Sequence, residues 1–134
     1  MRILGIDYGS VRMGIAMGDT ETRVASPLMV IEAKNRSSAI QQLLELVVDE
    51  KIDRIVVGVP RPLADQQRET AQTKTIRRFI QELQAQGLKV EETNETLSSH
   101  QAMHYVHELG QNKKRDDLAA VIILQTWLDT DRPS

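Results

Sequence analysis

Met1-Arg2-Ile3-Leu4-Gly5-Ile6-Asp7-Tyr8-Gly9-Ser10 is the stretch that decides how this chain folds. An apolar run closes on a lone carboxylate, Asp7, and a glycine follows two residues later. A run of about 4–8 such residues bounded by turn signals reads as a buried β-strand. Asp7 then falls near the end of that strand. Gly9 is expected to turn the backbone sharply, because glycine tolerates positive φ. A carboxylate in this position is costly unless a cation faces it. Taken alone, Asp7 reads more readily as a turn cap than as a functional acid, so the rest of the chain must decide.

Moving outward, Val11-Arg12-Met13 leads into Gly14-Ile15-Ala16-Met17-Gly18. The short link predicts a hairpin partner for the first strand, with small residues that permit close approach. After a polar turn, Val24 to Ala33 carries Leu28-Met29-Val30-Ile31 and reads as a third antiparallel strand. Pro27 belongs near its beginning or on an edge. The period then changes. Ser37 or Ser38 is a candidate helix cap, and Ile40, Leu43, Leu44 and Val47 recur on one helical face. Asp53 to Val59 is a β-branched strand, and its connection through a helix favours parallel pairing. Ile76, Phe79, Ile80 and Leu83 mark a second helix, with Gly87 placed for its C-terminal cap. Lys89 to Thr93 reads as a last strand despite its glutamates. Ser98-Ser99-His100-Gln101 opens a further helix through a capping box. Asp116 to Leu124 opens a final helix, apolar around most of its circumference and therefore deeply buried. Asp129 to Ser134 reads as a frayed tail, and Trp127 and the methionines as core. The fold class that follows is α/β: a mixed five-stranded sheet, its first three strands antiparallel, flanked by helices.

The bulk numbers exclude several classes. At 134 residues the chain fits one domain spanning 1–134. Without cysteine it has no disulfide framework and no thiolate metal site, which suits a cytoplasmic protein. No apolar run approaches a membrane span, and no signal peptide precedes the first strand. The formal net charge of −2 argues against coating nucleic acid by bulk charge, while leaving room for local basic patches beside an acidic site. Aromatics are only 3% of the chain, so stacking platforms for single strands are scarce.

Three acids stand at element boundaries: Asp7 ends the first strand, Glu95 follows the last, and Asp116 starts the final helix. They can converge on one rim if the first and last strands lie close. Clustered carboxylates repel unless a cation neutralises them, and hard oxygen ligands suit Mg²⁺ or Mn²⁺. Two such ions can activate water and stabilise the leaving oxygen of a phosphodiester. Arg12 and the run Lys113-Lys114-Arg115 would place positive charge beside the site. The polar segment Pro60 to Gln72 follows a strand's C-terminal end, where α/β sheets put their binding crevice. It offers Arg61 and Arg68 to phosphates, or is simply a solvated loop.

Gly5-Ile6-Asp7-Tyr8-Gly9-Ser10 with Arg12, Gly14 and Ala16 resembles the opening motif of the YqgF/RuvX family. Val57-Gly58-Val59-Pro60 resembles that family's strand end, and Asp116-Asp117-Leu118-Ala119-Ala120 with Ile123-Leu124-Gln125 its final helix. Members are described as Holliday junction resolvases and as nucleases maturing the 5′ end of pre-16S rRNA. The resemblance implies a ribonuclease H-like fold and a metal-dependent acidic site. It implies Asp7, Glu95 and Asp116 as catalytic metal ligands, Asp117 as a substitute ligand, and Mg²⁺ or Mn²⁺, two ions, as cofactor. The expected partner is nucleic acid, rRNA precursor or branched DNA, with no membrane and with a monomer or weak homodimer. The middle motif departs: Asn94 and Thr96 stand where the family usually has an acid and an arginine, while Glu95 is retained.

Two other readings stay open. Asp7-x-Gly9-Ser10 also resembles the phosphate loop of the sugar-kinase, actin and Hsp70 superfamily, but those proteins clasp ATP between two such domains. A ribonuclease H-like scaffold that binds nucleic acid without cutting is the other. His100, His104 and His107 share one helical face with spacing that can bind zinc, but read more simply as a polar face.

Overall fold

The computed structural model describes residues 1–9, 11–59, 71–94 and 116–130, with backbone alone at 94, 116 and 117. The chain runs β1 (Arg2–Asp7), β2 (Arg12–Asp19), β3 (Ala25–Glu32), α1 (Arg36–Asp49), β4 (Arg54–Val59), α2 (Ala71–Ala85), β5 (Val90–Asn94) and α3 (Asp116–Asp129). The strands form one sheet in the order β3-β2-β1-β4-β5. β1 pairs antiparallel with β2, and β2 with β3, whereas β1–β4 and β4–β5 are parallel. The opening stretch is thus the central strand, as its nearly continuous apolar run requires. Its start is tied to the residue just before β4 by the Arg2 amide, which donates to Asp53 Oδ2 at 2.9 Å.

Alternation along β1 feeds two cores. Leu4 and Ile6 join Met13, Ile15, Ile55, Val57 and Val59 under α1 and α2, with Leu43, Ile76, Phe79 and Leu83 from the helices. Ile3 joins Ala16 and Val56 on the other face, under Ala120, Ile123, Leu124 and Trp127 of α3. α3 lies across β1, β2 and β3, and Leu118, Ala120 to Leu124, Trp127 and Leu128 are all buried, which accounts for its apolar circumference. Among the described residues, no helix is long and apolar enough to cross a membrane.

Several local expectations need correction. Asn35, not Ser37 or Ser38, caps α1: its backbone is extended and its Oδ1 accepts from the Ser38 amide at 3.0 Å. Both serines are already helical. Trp127 and Met13 are core, but Met1 and Met29 are 48% and 40% exposed, Met29 because β3 is an edge strand. α3 continues to Asp129, and the Thr130 amide still donates to the Thr126 carbonyl, so the frayed tail does not begin at Asp129. Gln72 lies within α2, not in the preceding polar segment. Gly87 does adopt the left-handed conformation, φ 88°, that ends α2. The glutamates of β5 are tolerated because each has an arginine: Glu91 meets Arg54 at 2.9 Å and Glu92 meets Arg77 of α2 at 3.1 Å. The Pro60–Thr70 part of the polar segment, the helix expected from Ser98 to Gly110 and the three histidines placed on it lie outside the described residues.

Candidate active site

β1, β4 and β5 run parallel, so their C-terminal ends share one rim, where open α/β sheets bind ligands. Asp7 is the last residue of β1 and is half-buried there. β1 and β5 are not neighbours; β4 separates them, so the backbones of their ends stand roughly 10 Å apart at ordinary strand spacing. Asp7 pairs with Gly14 on β2. On the other side Ile6 pairs with Val57, which puts Gly58 at the next rank, and Gly58 pairs with Thr93 of β5. The acid is therefore flanked in both directions by residues without side chains.

Ile3, Gly5 and Asp7 alternate onto the face that α3 covers. A Cβ built on Gly18, opposite Ile3, would lie 3.0 Å from Leu128 Cδ1 and 3.1 Å from Leu124 Cδ2. One built on Gly5 would lie 2.7 Å from Leu124 Cβ and 3.2 Å from the Ala120 carbonyl oxygen. Two residues along β1 thus correspond to four residues back along α3. These steps match physically, at about 7 Å for the strand and about 6 Å for the helix. α3 runs antiparallel to β1, and one further step of the same register brings its first turn, which opens with Asp116 and Asp117, to the level of Asp7.

The turn after Asp7 is held from the opposite face. The Tyr8 ring packs against Phe79 of α2, with centroids 4.8 Å apart and planes tilted by 42°. Gly9 does not use positive φ; among the described glycines only Gly87 does. Glycine is required there for space, because a Cβ would collide with the Arg12 carbonyl oxygen. Arg12 is the first residue of β2 and exposed, so the hairpin presents it at the same rim as Asp7.

Of the residues singled out in the sequence, Asp7 and Arg12 are brought together on the β1–β2 hairpin. Asp116 and Asp117 are the first two residues of α3. Glu95, Arg61, Arg68, Lys113, Lys114 and Arg115 lie outside the described residues. Two contributors were not assigned a role from sequence. Gly5 lets α3 approach the sheet. Gln125, a polar residue inside an apolar helix, accepts from the Ala25 amide at 2.9 Å and donates to the Arg23 carbonyl at 2.8 Å. Its polarity in that helix was the available signal.

The chain matches the RuvX family, described as "Holliday junction resolvase", over residues 1–130. A protein of Maridesulfovibrio salexigens named "Putative pre-16S rRNA nuclease" is 35% identical over 134 residues, covering 96% of this chain and 98% of that one. A Chloroflexus aggregans protein of the same name is 38% identical over 136 residues, covering 97% and 94%. Among solved structures, Thermus thermophilus RuvC superposes with a TM-score of 0.63 at 14% identity, covering 96% of this chain and 94% of that one. The mixed five-stranded sheet with its helices is thus the ribonuclease H-like fold. Matched from Met1 to Thr130, and aligned with relatives almost end to end, this chain belongs to the RuvX family.

Proposed function

We propose that this chain is a metal-dependent endonuclease that hydrolyses phosphodiester bonds, with 5′-end maturation of pre-16S rRNA as its task. The observation that carries this reading is Asp7 at the C-terminal rim of the central strand, level with the helix turn that opens on Asp116 and Asp117. The names carried by its relatives support the rRNA precursor as substrate. In this reading residues 1–134 act as one domain in the cytoplasm, with nucleic acid as partner and no membrane.

The donor chemistry fits a hard dication. Asp7 offers carboxylate oxygen, and the acids at Glu95, Asp116 and Asp117 extend an all-oxygen set of the kind that Mg²⁺ or Mn²⁺ takes. Asp7, Glu95 and Asp116 are the catalytic ligands, with Asp117 as a further one. When bound, two such ions would supply an activated water and charge stabilisation at the leaving oxygen. The rest falls to the chain. Gly14 and Gly58 keep side chains away from Asp7 on both sides. Arg12, Arg61, Arg68, Lys113, Lys114 and Arg115 hold phosphates, which positions a strand without reading its bases.

The family description favours a second reading, resolution of Holliday junctions. A symmetric junction calls for a two-fold dimer, whereas end-processing is satisfied by a monomer or a weak homodimer. The test is cleavage of labelled single-stranded RNA, duplex and four-way-junction substrates with Mg²⁺ or Mn²⁺, comparing wild type with Asp7→Asn. Metal-dependent cutting that the substitution abolishes is expected, with precursor-like RNA preferred. Preference for the four-way junction would select the second reading. Binding without cutting in both proteins would reject the nuclease and leave a scaffold.

A further inference from the structure

The register of α3 against the sheet rests on two contacts of different kinds. At Gly5 the nearest atoms are Leu124 Cβ and the Ala120 carbonyl oxygen, both fixed to the helix backbone. A methyl group there cannot be accommodated by rotating a side chain, since carbon atoms settle about 3.5–4.0 Å apart and Leu124 Cβ would stand at 2.7 Å. The helix itself must move outward. At Gly18 the helix atoms met are the Cδ tips of Leu124 and Leu128, which can rotate away, while the Val24 carbonyl oxygen of the β2–β3 connection stands at 3.0 Å. Gly5 therefore sets how deeply α3 sits, and Gly18 does not. Gln125 sets where α3 sits along its axis. Its amide spans the β2–β3 connection, joining the Ala25 amide and the Arg23 carbonyl, and its Nε2 also donates to Asp129 Oδ1 at 3.0 Å. Gln125 is nine residues from Asp116, about 14 Å along the helix, so it touches nothing at the rim directly.

We infer that Gly5 and Gln125 are positioning residues for the dication site: depth of α3 from one and axial placement from the other hold its first turn level with Asp7. This rests on the metal-dependent reading above. A carboxylate set is sensitive to such displacement because ligand distances to Mg²⁺ and Mn²⁺ are short and narrowly bounded. Neither residue is a ligand. Their effect passes through the placement of Asp116 and Asp117 relative to Asp7.

The test is Mn²⁺ affinity measured by electron paramagnetic resonance titration of the protein without nucleic acid. Wild type is compared with Asp7→Asn, Gly5→Ala, Gln125→Ala and Gly87→Ala, each first shown to be folded by its thermal melt. Wild type should bind and Asp7→Asn should not. Gly5→Ala should weaken Mn²⁺ binding on the order of tenfold or more, and Gln125→Ala several-fold, as for supports behind metal ligands. Gly87→Ala, which strains only the end of α2 on the other face of the sheet, should leave affinity within about twofold. If Gly5→Ala does not fold, Gln125→Ala decides the matter alone. Wild-type affinity in folded Gly5→Ala, or in Gln125→Ala when it is the deciding variant, overturns the inference while leaving the metal site standing. No Mn²⁺ binding by wild type overturns the metal site, and this inference with it.

Discussion

At the scale of single residues, the rim is governed by what flanks Asp7. Gly14 and Gly58 flank Asp7 in the sheet and leave space at its own rank. Asp7→Asn keeps the shape and removes the charge, so cleavage should fall on the order of a hundredfold or more while the melting temperature stays close to wild type; rates on labelled RNA alongside calorimetry check this. Gln125 is a residue whose worth is purely geometric. Gln125→Ala orphans the Ala25 amide and the Arg23 carbonyl, and urea unfolding should report a loss of about 1–2 kcal/mol. Gln125→Glu retains an acceptor for the Ala25 amide but sets a carboxylate against the Arg23 carbonyl and Asp129 Oδ1, and should cost at least as much as Gln125→Ala.

At the scale of elements, each helix end carries its own signal. α1 begins on the Asn35 cap and has no acid in its first turn. Asn35→Ala should cost about 1 kcal/mol, whereas Asn35→Asp should be neutral or stabilising because a carboxylate complements the helix N-terminus; chemical denaturation of the pair separates cap from dipole. α2 ends on Gly87 at φ 88°, with nothing within 4 Å of where a Cβ would be. Gly87→Ala should therefore lower stability by about 1–2 kcal/mol through backbone strain alone, with no change in cleavage. β5 shows how an unpromising strand is stabilised. Its two glutamates project to opposite faces, and each is met by an arginine from a different element.

At the scale of the molecule, the arrangement is a central strand with cores on both faces and a functional rim at its C-terminal end. The formal net charge is −2, and the proposed function sets an acidic site beside basic residues that hold phosphates. Binding of nucleic acid should therefore weaken as salt rises, and Arg12→Ala should reduce the slope of log affinity against log salt by about 1, roughly equally for all sequences. Filter binding of labelled RNA between low and moderate salt tests this, and a slope unchanged by the substitution would remove Arg12 from the phosphate contacts.

The sequence by itself determined the described strands and helices and put Asp7 at the end of the first strand. An apolar run closing on Asp7, the switch from period two to period 3.6, and the apolar circumference of the last helix are local patterns, and local patterns survive in a one-dimensional reading. It also carried the family, through motifs at both ends of the chain. Tertiary structure decided what depends on distance between segments far apart in sequence. Strand order put β4 between β1 and β5. The Asn35 side chain, rather than a serine, reached the amide that needed it. Gly9 was kept small by the Arg12 carbonyl and not by φ. Gly5 and Gln125 acquired roles only once α3 lay across the sheet, because close approach and side-chain hydrogen bonds are properties of a packed pair, and neither partner's sequence contains the other.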